Sequence, residues 1–229
     1  MALRNIETIV GKLKEVIPED RLSTDPAVTI AYTRDSSFAF TGIAPINFIV
    51  VLPEKVEEVQ EILRIANKMN VKVAIEGTMS NLVGLTIPRF NEHILIDMKR
   101  MRELKIDEEL QVAIVEPGVT HGLLAREATK KGLKYIGPLA PYSTSVIGNM
   151  AYTSMKPGAT RYGQDQVLAL EVVLPTGDKL YTGTWSSSYL RDSTPFYRHT
   201  PLLDLSPLFL FTRGVLGIIT KAAIRLYPI

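Results

Sequence analysis

The chain has 229 residues, of which 46% are hydrophobic and 22% charged, a composition typical of a globular protein that can bury a sizeable core. Its formal net charge of +2, with basic residues scattered among acidic ones, gives no reason to expect a nucleic-acid surface. The absence of cysteine excludes disulfides, thiolate metal ligands, iron–sulfur ligation and cysteine nucleophiles.

The N-terminal segment predicts an amphipathic helix over residues 4–16. Its apolar positions, Ile6, Ile9, Val10 and Leu13, fall on one helical face. Charges throughout the segment are unlike a signal peptide, and no apolar run in the chain approaches membrane-spanning length. We therefore expect a cytoplasmic protein without a membrane span.

A strand–helix–strand pattern follows. An apolar strand is predicted at 48–52, and Pro53 opens a helix that ends near residue 70. The next strand, 71–75, follows at once, so the pattern predicts a right-handed parallel crossover. A third strand at 94–98 completes a small α/β lobe.

The second half of the chain predicts mainly antiparallel strands. A strand at 111–115 and a helix at 123–131 precede a β-hairpin, whose strands flank the turn Pro-Thr-Gly-Asp at 175–178. A final strand runs over 218–226, and 184–206 reads as a loop with some helix. The expected fold class is α+β, with an α/β lobe at residues 1–103 and a second lobe at 104–229.

Three stretches of this chain are ordinary one by one but informative in their order and spacing. EGTMSNLVGLTIP (76–88) is a turn-rich loop after a strand. GPLAPYSTSVIGNMAYTSMKPGATRYG (137–163) is a second loop rich in proline and small residues. GVLGIITKAAIRLYP (214–228) forms the closing strand.

In this order and spacing, the three stretches resemble the FAD-binding domain of the flavin oxidases related to vanillyl-alcohol oxidase and para-cresol methylhydroxylase. The match is better to the branch of the glycolate oxidase FAD subunit and D-lactate dehydrogenase. The resemblance covers nearly all of the chain, from AYTRDSS at residue 31 onward. It implies a two-lobed fold of the para-cresol methylhydroxylase (PCMH) type, with FAD as the cofactor.

In the resembled family, the first stretch binds the pyrophosphate. Its pattern is an arginine and three glycines, followed by Thr-Ser-Leu-Ser-Gly-Gly. In this chain Glu76 replaces the arginine, while Thr78 and Met79 replace two of the glycines. The resemblance nevertheless implies a pyrophosphate-binding loop made of Glu76, Gly77, Thr78, Met79, Ser80, Asn81 and Gly84.

The other two stretches imply further flavin contacts. In the second stretch, Ile147 stands where one glycine of a pair is usual, and Lys156 is either a solvated loop residue or a charge beside the flavin ring. In the third, the main chain around Gly217 and Ile219 pairs with the adenine edge in the family. The implied contacts of the second stretch are Pro138, Ser145, Gly148, Asn149 and Ala151, and Asp165 follows it as a further implied contact.

The resemblance implies an FAD-dependent oxidoreductase component that passes hydride from a small 2-hydroxy acid, such as D-lactate or glycolate, to FAD. Relatives carry a further cap domain for substrate, so we expect a partner polypeptide or further segment to supply the substrate domain or accept electrons. No catalytic residue can be assigned, and residues 1–229 alone are expected to turn over no substrate.

Two alternatives remain open at this stage. The first is a non-catalytic binding or assembly subunit that keeps the fold but has lost flavin, suggested by Glu76, Met79 and Ile147. The second is another relative of the fold, such as a reductase of a nucleotide-sugar enol ether or the FAD subunit of a molybdenum hydroxylase.

Histidines and aromatic residues suggest no other chemistry. His93, His121 and His199 are too dispersed to predict a metal site, and His199 lacks the sequence context of covalent flavin attachment. The aromatic residues around Trp185 are an interface patch, a lid or loop anchors. They are Trp185, Tyr189, Phe196 and Tyr197.

Overall fold

The computed structural model describes residues 6–37, 45–81, 84–85, 87, 89, 91–138, 140–152, 166–195, 197 and 203–229. The chain folds into two compact units. The first comprises Met1–Arg100 together with the turn Pro175–Gly177, and the second comprises Met101–Leu174 and Asp178–Ile229.

The first unit combines helices with a small mixed sheet. Its α-helices and strands, in chain order, are α1 (Ile6–Lys14), β1 (Leu22–Ser23), α2 (Pro26–Thr29), β2 (Ile49–Val51), α3 (Val56–Met69), β3 (Val73–Glu76) and β4 (Ile94–Asp97). Short 3₁₀-helices occur at Glu19–Arg21, Ile30–Thr33 and Met98–Arg100.

The sheet of the first unit has the order β1-β2-β4-β3. Strands β2 and β3 both run parallel to β4, whereas β1 is antiparallel to β2. The predicted parallel arrangement is therefore present, with β4 inserted between the two strands that α3 connects. Every residue of β2 and β4 is buried, which explains why these strands read as continuous apolar runs rather than as alternating patterns.

Helix α3 is held at its start by one carboxylate. Glu58 accepts main-chain hydrogen bonds from Glu54 (2.7 Å) and Lys55 (3.3 Å). The same carboxylate binds the buried guanidinium of Arg21 through two contacts of 2.8 and 2.7 Å. The helix ends at Asn70, whose φ of 52° is the left-handed conformation that stops a helix.

The second unit is built around an antiparallel sheet. Its elements are β5 (Leu104–Asp107), β6 (Val112–Val115), α4 (His121–Lys130), β7 (Leu133–Lys134), α5 (Val146–Tyr152), β8 (Val167–Val173), β9 (Lys179–Tyr181), β10 (Ile218–Arg225) and β11 (Tyr227–Pro228), with 3₁₀-helices at Gly183–Ser186 and Ser206–Leu208.

The large sheet has the order β5-β6-β10-β8-β9, and all its neighbouring strands are antiparallel. Strands β7 and β11 form a separate antiparallel pair. One buried core joins α4, α5 and one face of this sheet. The predicted hairpin is present as β8 and β9, and the mainly antiparallel character of this half is confirmed.

Trp185 belongs to a smaller core of the second unit. Its side chain is 5% exposed and packs with Val112, Leu168, Ala169 and Ala223. Its indole Nε1 donates a hydrogen bond to the carbonyl of Ser193 at 3.1 Å. Trp185 is therefore a loop anchor, whereas Tyr189 is 95% exposed and Phe196 lies outside the described residues.

No helix among the described residues is long and apolar enough to cross a membrane. Over the same residues, no three histidine, aspartate or glutamate side chains group together in a way that would hold a metal ion.

Candidate functional site

The predicted pyrophosphate loop begins where β3 ends. Glu76 is the last residue of β3 and only 3% exposed, and its register partner on β4 is Asp97. Its carboxylate turns into the loop, where Oε1 accepts hydrogen bonds from the main-chain N–H groups of Gly77 (2.9 Å) and Met79 (2.6 Å). Two amides of this loop therefore converge on a single anionic oxygen.

The rest of the loop is braced by local contacts. Met79 has a φ of 51°, the left-handed conformation that glycine adopts without strain. The hydroxyls of Thr78 and Ser80 share a hydrogen bond of 3.1 Å, and Asn81 Oδ1 accepts from the Leu85 N–H at 3.1 Å. Position 79, where the family pattern has glycine, therefore has a backbone conformation that suits glycine, although the residue in this chain is methionine.

A cavity of about 530 Å³ adjoins the loop in the first unit. Besides Gly77, Thr78 and Met79, it is lined by Val28, Ala31, Tyr32, Asp97 and Lys99. The buried Asp97 carboxylate accepts from the Tyr32 hydroxyl and binds the Lys99 ammonium, both at 2.7 Å. Lys99 Nζ also donates to the Tyr32 hydroxyl oxygen at 3.1 Å.

These contacts shift the proton affinities of two cavity groups. Burial raises the pKa of the Tyr32 hydroxyl, and the hydrogen bond to Asp97 adds to this effect. Burial acts to lower the pKa of Lys99, but its contacts with Asp97 and Tyr32 outweigh that effect and raise it overall. Lys99 is therefore an ammonium whose charge is largely balanced by Asp97. The sequence did not predict this cluster of Tyr32, Asp97 and Lys99, and the only indication of it was the tyrosine within AYTRDSS.

In the second unit, the side chain of the predicted contact residue Ser145 forms two hydrogen bonds. Its hydroxyl donates to the Pro117 carbonyl and accepts from the Gly148 N–H at 2.9 Å, at the start of α5. A Cβ at Gly148 would lie 3.2 Å from the Ser145 Cβ, so the glycine keeps this cap accessible. Pro138 closes a short turn, because its carbonyl accepts from the Ala140 N–H at 2.9 Å.

Asn149 and Ala151 lie on α5, a helix that was not predicted from the sequence. The main-chain N–H of Asn149 donates to the Ser145 carbonyl at 2.9 Å. The Ala151 carbonyl accepts from the Arg213 N–H at 2.9 Å, which ties the end of α5 to the segment before β10. The second unit therefore brings Ser145, Gly148, Asn149 and Ala151 together on one short helix and its cap.

Gly217 directly precedes β10, and Ile219 is the second residue of β10, beside β8. A Cβ at Gly217 would lie 2.7 Å from the Val172 Cγ1, so close packing requires glycine here. Ile219 pairs with Val172, but the register of β10 with β6 covers only residues 222–225. Among the described residues, the first residues of β10 thus have a strand partner on one side only. An adenine that pairs with the main chain would need such an open side.

Three positions singled out from the sequence, Lys156, Asp165 and His199, lie outside the described residues. His121, by contrast, is buried and its Nδ1 lies 3.0 Å from the Tyr135 hydroxyl oxygen. Burial lowers the pKa of His121 to about 4 and raises that of Tyr135. His121 is a neutral core residue, in agreement with a structural role.

The described residues fit a phosphate-bearing cofactor in one specific respect. Main-chain N–H groups that converge on one anionic oxygen are the donor set that a phosphate oxygen needs, and the Gly77 and Met79 amides have that arrangement. In this structure the oxygen that accepts from these two amides belongs to the Glu76 carboxylate, which is part of the same chain. The open edge of β10 in the second unit is the other observation that suits a nucleotide.

Comparison with known proteins identifies the family. The family described as FAD binding domain matches residues 48–183 of this chain. D-lactate dehydrogenase of Archaeoglobus fulgidus is 34% identical over 185 residues, which cover 80% of this chain and 39% of that protein. Glycolate oxidase subunit GlcD of Bacillus subtilis is 33% identical over 182 residues, 78% of this chain and 37% of that protein.

The fold is also shared with a solved structure of p-cresol methylhydroxylase with substrate bound. The TM-score is 0.80 at 22% identity, and the match covers 99% of this chain and 44% of that chain. The predicted α+β fold of the PCMH type is therefore confirmed.

The chain belongs to the FAD-binding domain family and to the FAD-linked oxidoreductases, and the predicted cofactor, FAD, is confirmed at the level of the family. This membership does not favour a subunit that has lost flavin. The chain spans less than half the length of these two curated relatives.

Proposed function

We propose that this chain is the FAD-holding part of an oxidoreductase that oxidises a small 2-hydroxy acid of the D-lactate or glycolate type. The observation that carries the proposal is the identity of 34% and 33% to proteins named D-lactate dehydrogenase and glycolate oxidase subunit, each over more than three quarters of the chain. FAD, when bound, supplies the redox chemistry by accepting hydride from the substrate α-carbon.

The chain's own residues contribute binding and positioning. In the first unit, the main-chain amides of Gly77 and Met79 are the donors for a phosphate oxygen. In the second unit, the main chain around Gly217 and Ile219 offers a hydrogen-bonding edge with a strand on one side only. Both sets of donors belong to the backbone, so they are present whichever side chains occupy these positions.

We assign the substrate contacts and the electron acceptor to a further segment or a second polypeptide, because the relatives are more than twice as long as these 229 residues. We assign no residue of this chain as the proton acceptor for the substrate hydroxyl. We further propose a cytoplasmic location and an assembled enzyme in which a second polypeptide or a further segment completes the site.

The proposal is tested by anaerobic flavin bleaching in the complete natural protein, with its partner where one copurifies. D-lactate or glycolate should abolish the absorbance of oxidised flavin, while L-lactate and the phenol p-cresol should leave it unchanged. The phenol is the control for a substrate suggested by the fold alone, since p-cresol methylhydroxylase shares the fold of this chain. A colourless protein that takes up no FAD, or bleaching by the phenol alone, would overturn the proposal.

A further inference from the structure

The Glu76 carboxylate is the anion that the candidate pyrophosphate loop holds in this structure. Its side chain is buried, and Oε1 accepts from the Gly77 and Met79 amides at 2.9 and 2.6 Å. Hydrogen bonds from main-chain amides to a carboxylate are charge-assisted and stronger than those between neutral groups. The loop is therefore held in shape by an acceptor from its own chain.

A phosphate oxygen would need these same two donors. An N–H group has one hydrogen to donate, and two anionic oxygens placed at the same pair of amides repel each other. The Lys99 ammonium lines the adjoining cavity, but Asp97 Oδ2 already lies 2.7 Å from it and balances its charge. Lys99 therefore provides little net positive charge to offset the carboxylate of Glu76.

We infer that Glu76 is a built-in competitor for the phosphate groups of the cofactor. Its carboxylate leaves the Gly77 and Met79 amides before a phosphate oxygen accepts from them, and so it lowers the affinity of the chain for phosphate-bearing ligands. This inference rests on the proposed role in holding FAD and identifies the residue that sets the strength of binding. The opposite role, a brace that prepares the loop for phosphate, predicts the reverse effect of its removal.

The two roles are separated by titration calorimetry with ADP, which carries the pyrophosphate, and with riboflavin, which lacks phosphate. Glu76→Gln keeps the size of the side chain and removes its charge. Because a carboxylate accepts hydrogen bonds more strongly than a neutral amide oxygen does, ADP should bind about tenfold or more tightly to Glu76→Gln than to the wild type. Riboflavin binding should not change.

The matched control is Glu109→Gln, which makes the same change of charge at an exposed position of the second unit. It should bind ADP as the wild type does. Equal or weaker ADP binding by Glu76→Gln would overturn the inference and identify Glu76 as a brace. If neither the wild type nor Glu76→Gln binds FAD or ADP, the FAD-holding role itself fails, and this inference fails with it.

A second measurement uses the wild type alone and does not depend on the folding of a variant. Amide resonances of Gly77 and Met79 should both shift on addition of ADP, because their acceptor changes from carboxylate to phosphate. ADP that binds without moving either resonance would show that the carboxylate stays in place, which contradicts the inference.

Discussion

Burial controls the protonation of His121. Its ring is 3% exposed, and burial lowers its pKa from 6.5 to about 4. In the unfolded chain the ring regains its ordinary pKa, so between pH 6.5 and about 4 the unfolded state binds a proton that the folded state does not. The stability that this histidine contributes is thus present above pH 6.5 and is lost as the pH falls towards 4.

We therefore expect the free energy of unfolding to fall on acidification by more in the wild type than in His121→Gln. From the pKa values of 6.5 and about 4, the difference should approach about 3 kcal/mol at the acid end of this window. Urea denaturation of both proteins at neutral and mildly acidic pH measures it. Parallel pH dependences in the two proteins would contradict the assignment of a neutral buried imidazole.

The residues of the loop show what could and could not be predicted at this scale. The sequence identified Glu76 and Met79 as departures from the family pattern, but not where their side chains and backbone would lie. A glutamate after a strand can face solvent or the loop amides, and tertiary burial decides between the two. The left-handed φ of Met79 likewise depends on the path of the loop, and the methionine side chain packs against the core of the first unit.

At the scale of elements, the strongly periodic segments were predicted and the short irregular ones were not. Helix α3 was predicted because its buried stripe repeats with helical spacing. Helix α5 was missed, since Gly148 and Asn149 in its middle are poor helix formers. The Ser145 cap and the burial of Val146 and Ile147 in the core stabilise it nonetheless.

Two glycines, one just before β10 and one within α1, should respond oppositely to substitution by alanine. A Cβ at Gly217 would lie 2.7 Å from the Val172 Cγ1 and 3.0 Å from the Val173 carbonyl oxygen, so Gly217→Ala should cost about 1–3 kcal/mol of stability. Gly11 lies within α1, and a methyl group added there would meet no atom of the described residues within 4 Å beyond its chain neighbours and its own helix backbone, so Gly11→Ala should add roughly 0.5–1 kcal/mol.

Urea midpoints of the two variants and the wild type measure this pair of effects. Gly11→Ala serves as the control, because it adds the same methyl group where helix propensity alone decides the outcome. A destabilised Gly11→Ala, or an unaffected Gly217→Ala, would show that the packing at that position differs from the one described.

For the molecule as a whole, the class could be predicted because the motifs occur together in one order. Each stretch is an ordinary loop or strand by itself, and their sequence along the chain is what identified the FAD-binding fold. The substrate could not be predicted in the same way. The described residues to which we assign a role are proposed to bind the cofactor, and none of these assignments distinguishes D-lactate from glycolate.

FAD should stabilise the folded chain by mass action. At a free concentration about a hundredfold above its Kd, the gain is about 2.7 kcal/mol, which corresponds to a rise in Tm of roughly 5–10 °C for a chain of this size. Gly77→Val should fold but lose this rise, because a branched side chain would crowd the amides that hold an anion. Differential scanning fluorimetry with and without FAD tests both proteins, and an undiminished rise in Gly77→Val would contradict the assignment of the loop.

The chain has a single tryptophan, so tryptophan fluorescence can follow the second unit separately. Trp185 is buried there, so its emission reports on that unit alone, while the far-ultraviolet circular dichroism also includes α1 and α3 of the first unit. Coincident loss of the two signals in urea would mean that both units unfold as one cooperative body, and separate midpoints would mean that each is stable independently. Because oxidised flavin absorbs light at the wavelengths that tryptophan emits, quenching of this emission would also measure the rate at which FAD binds.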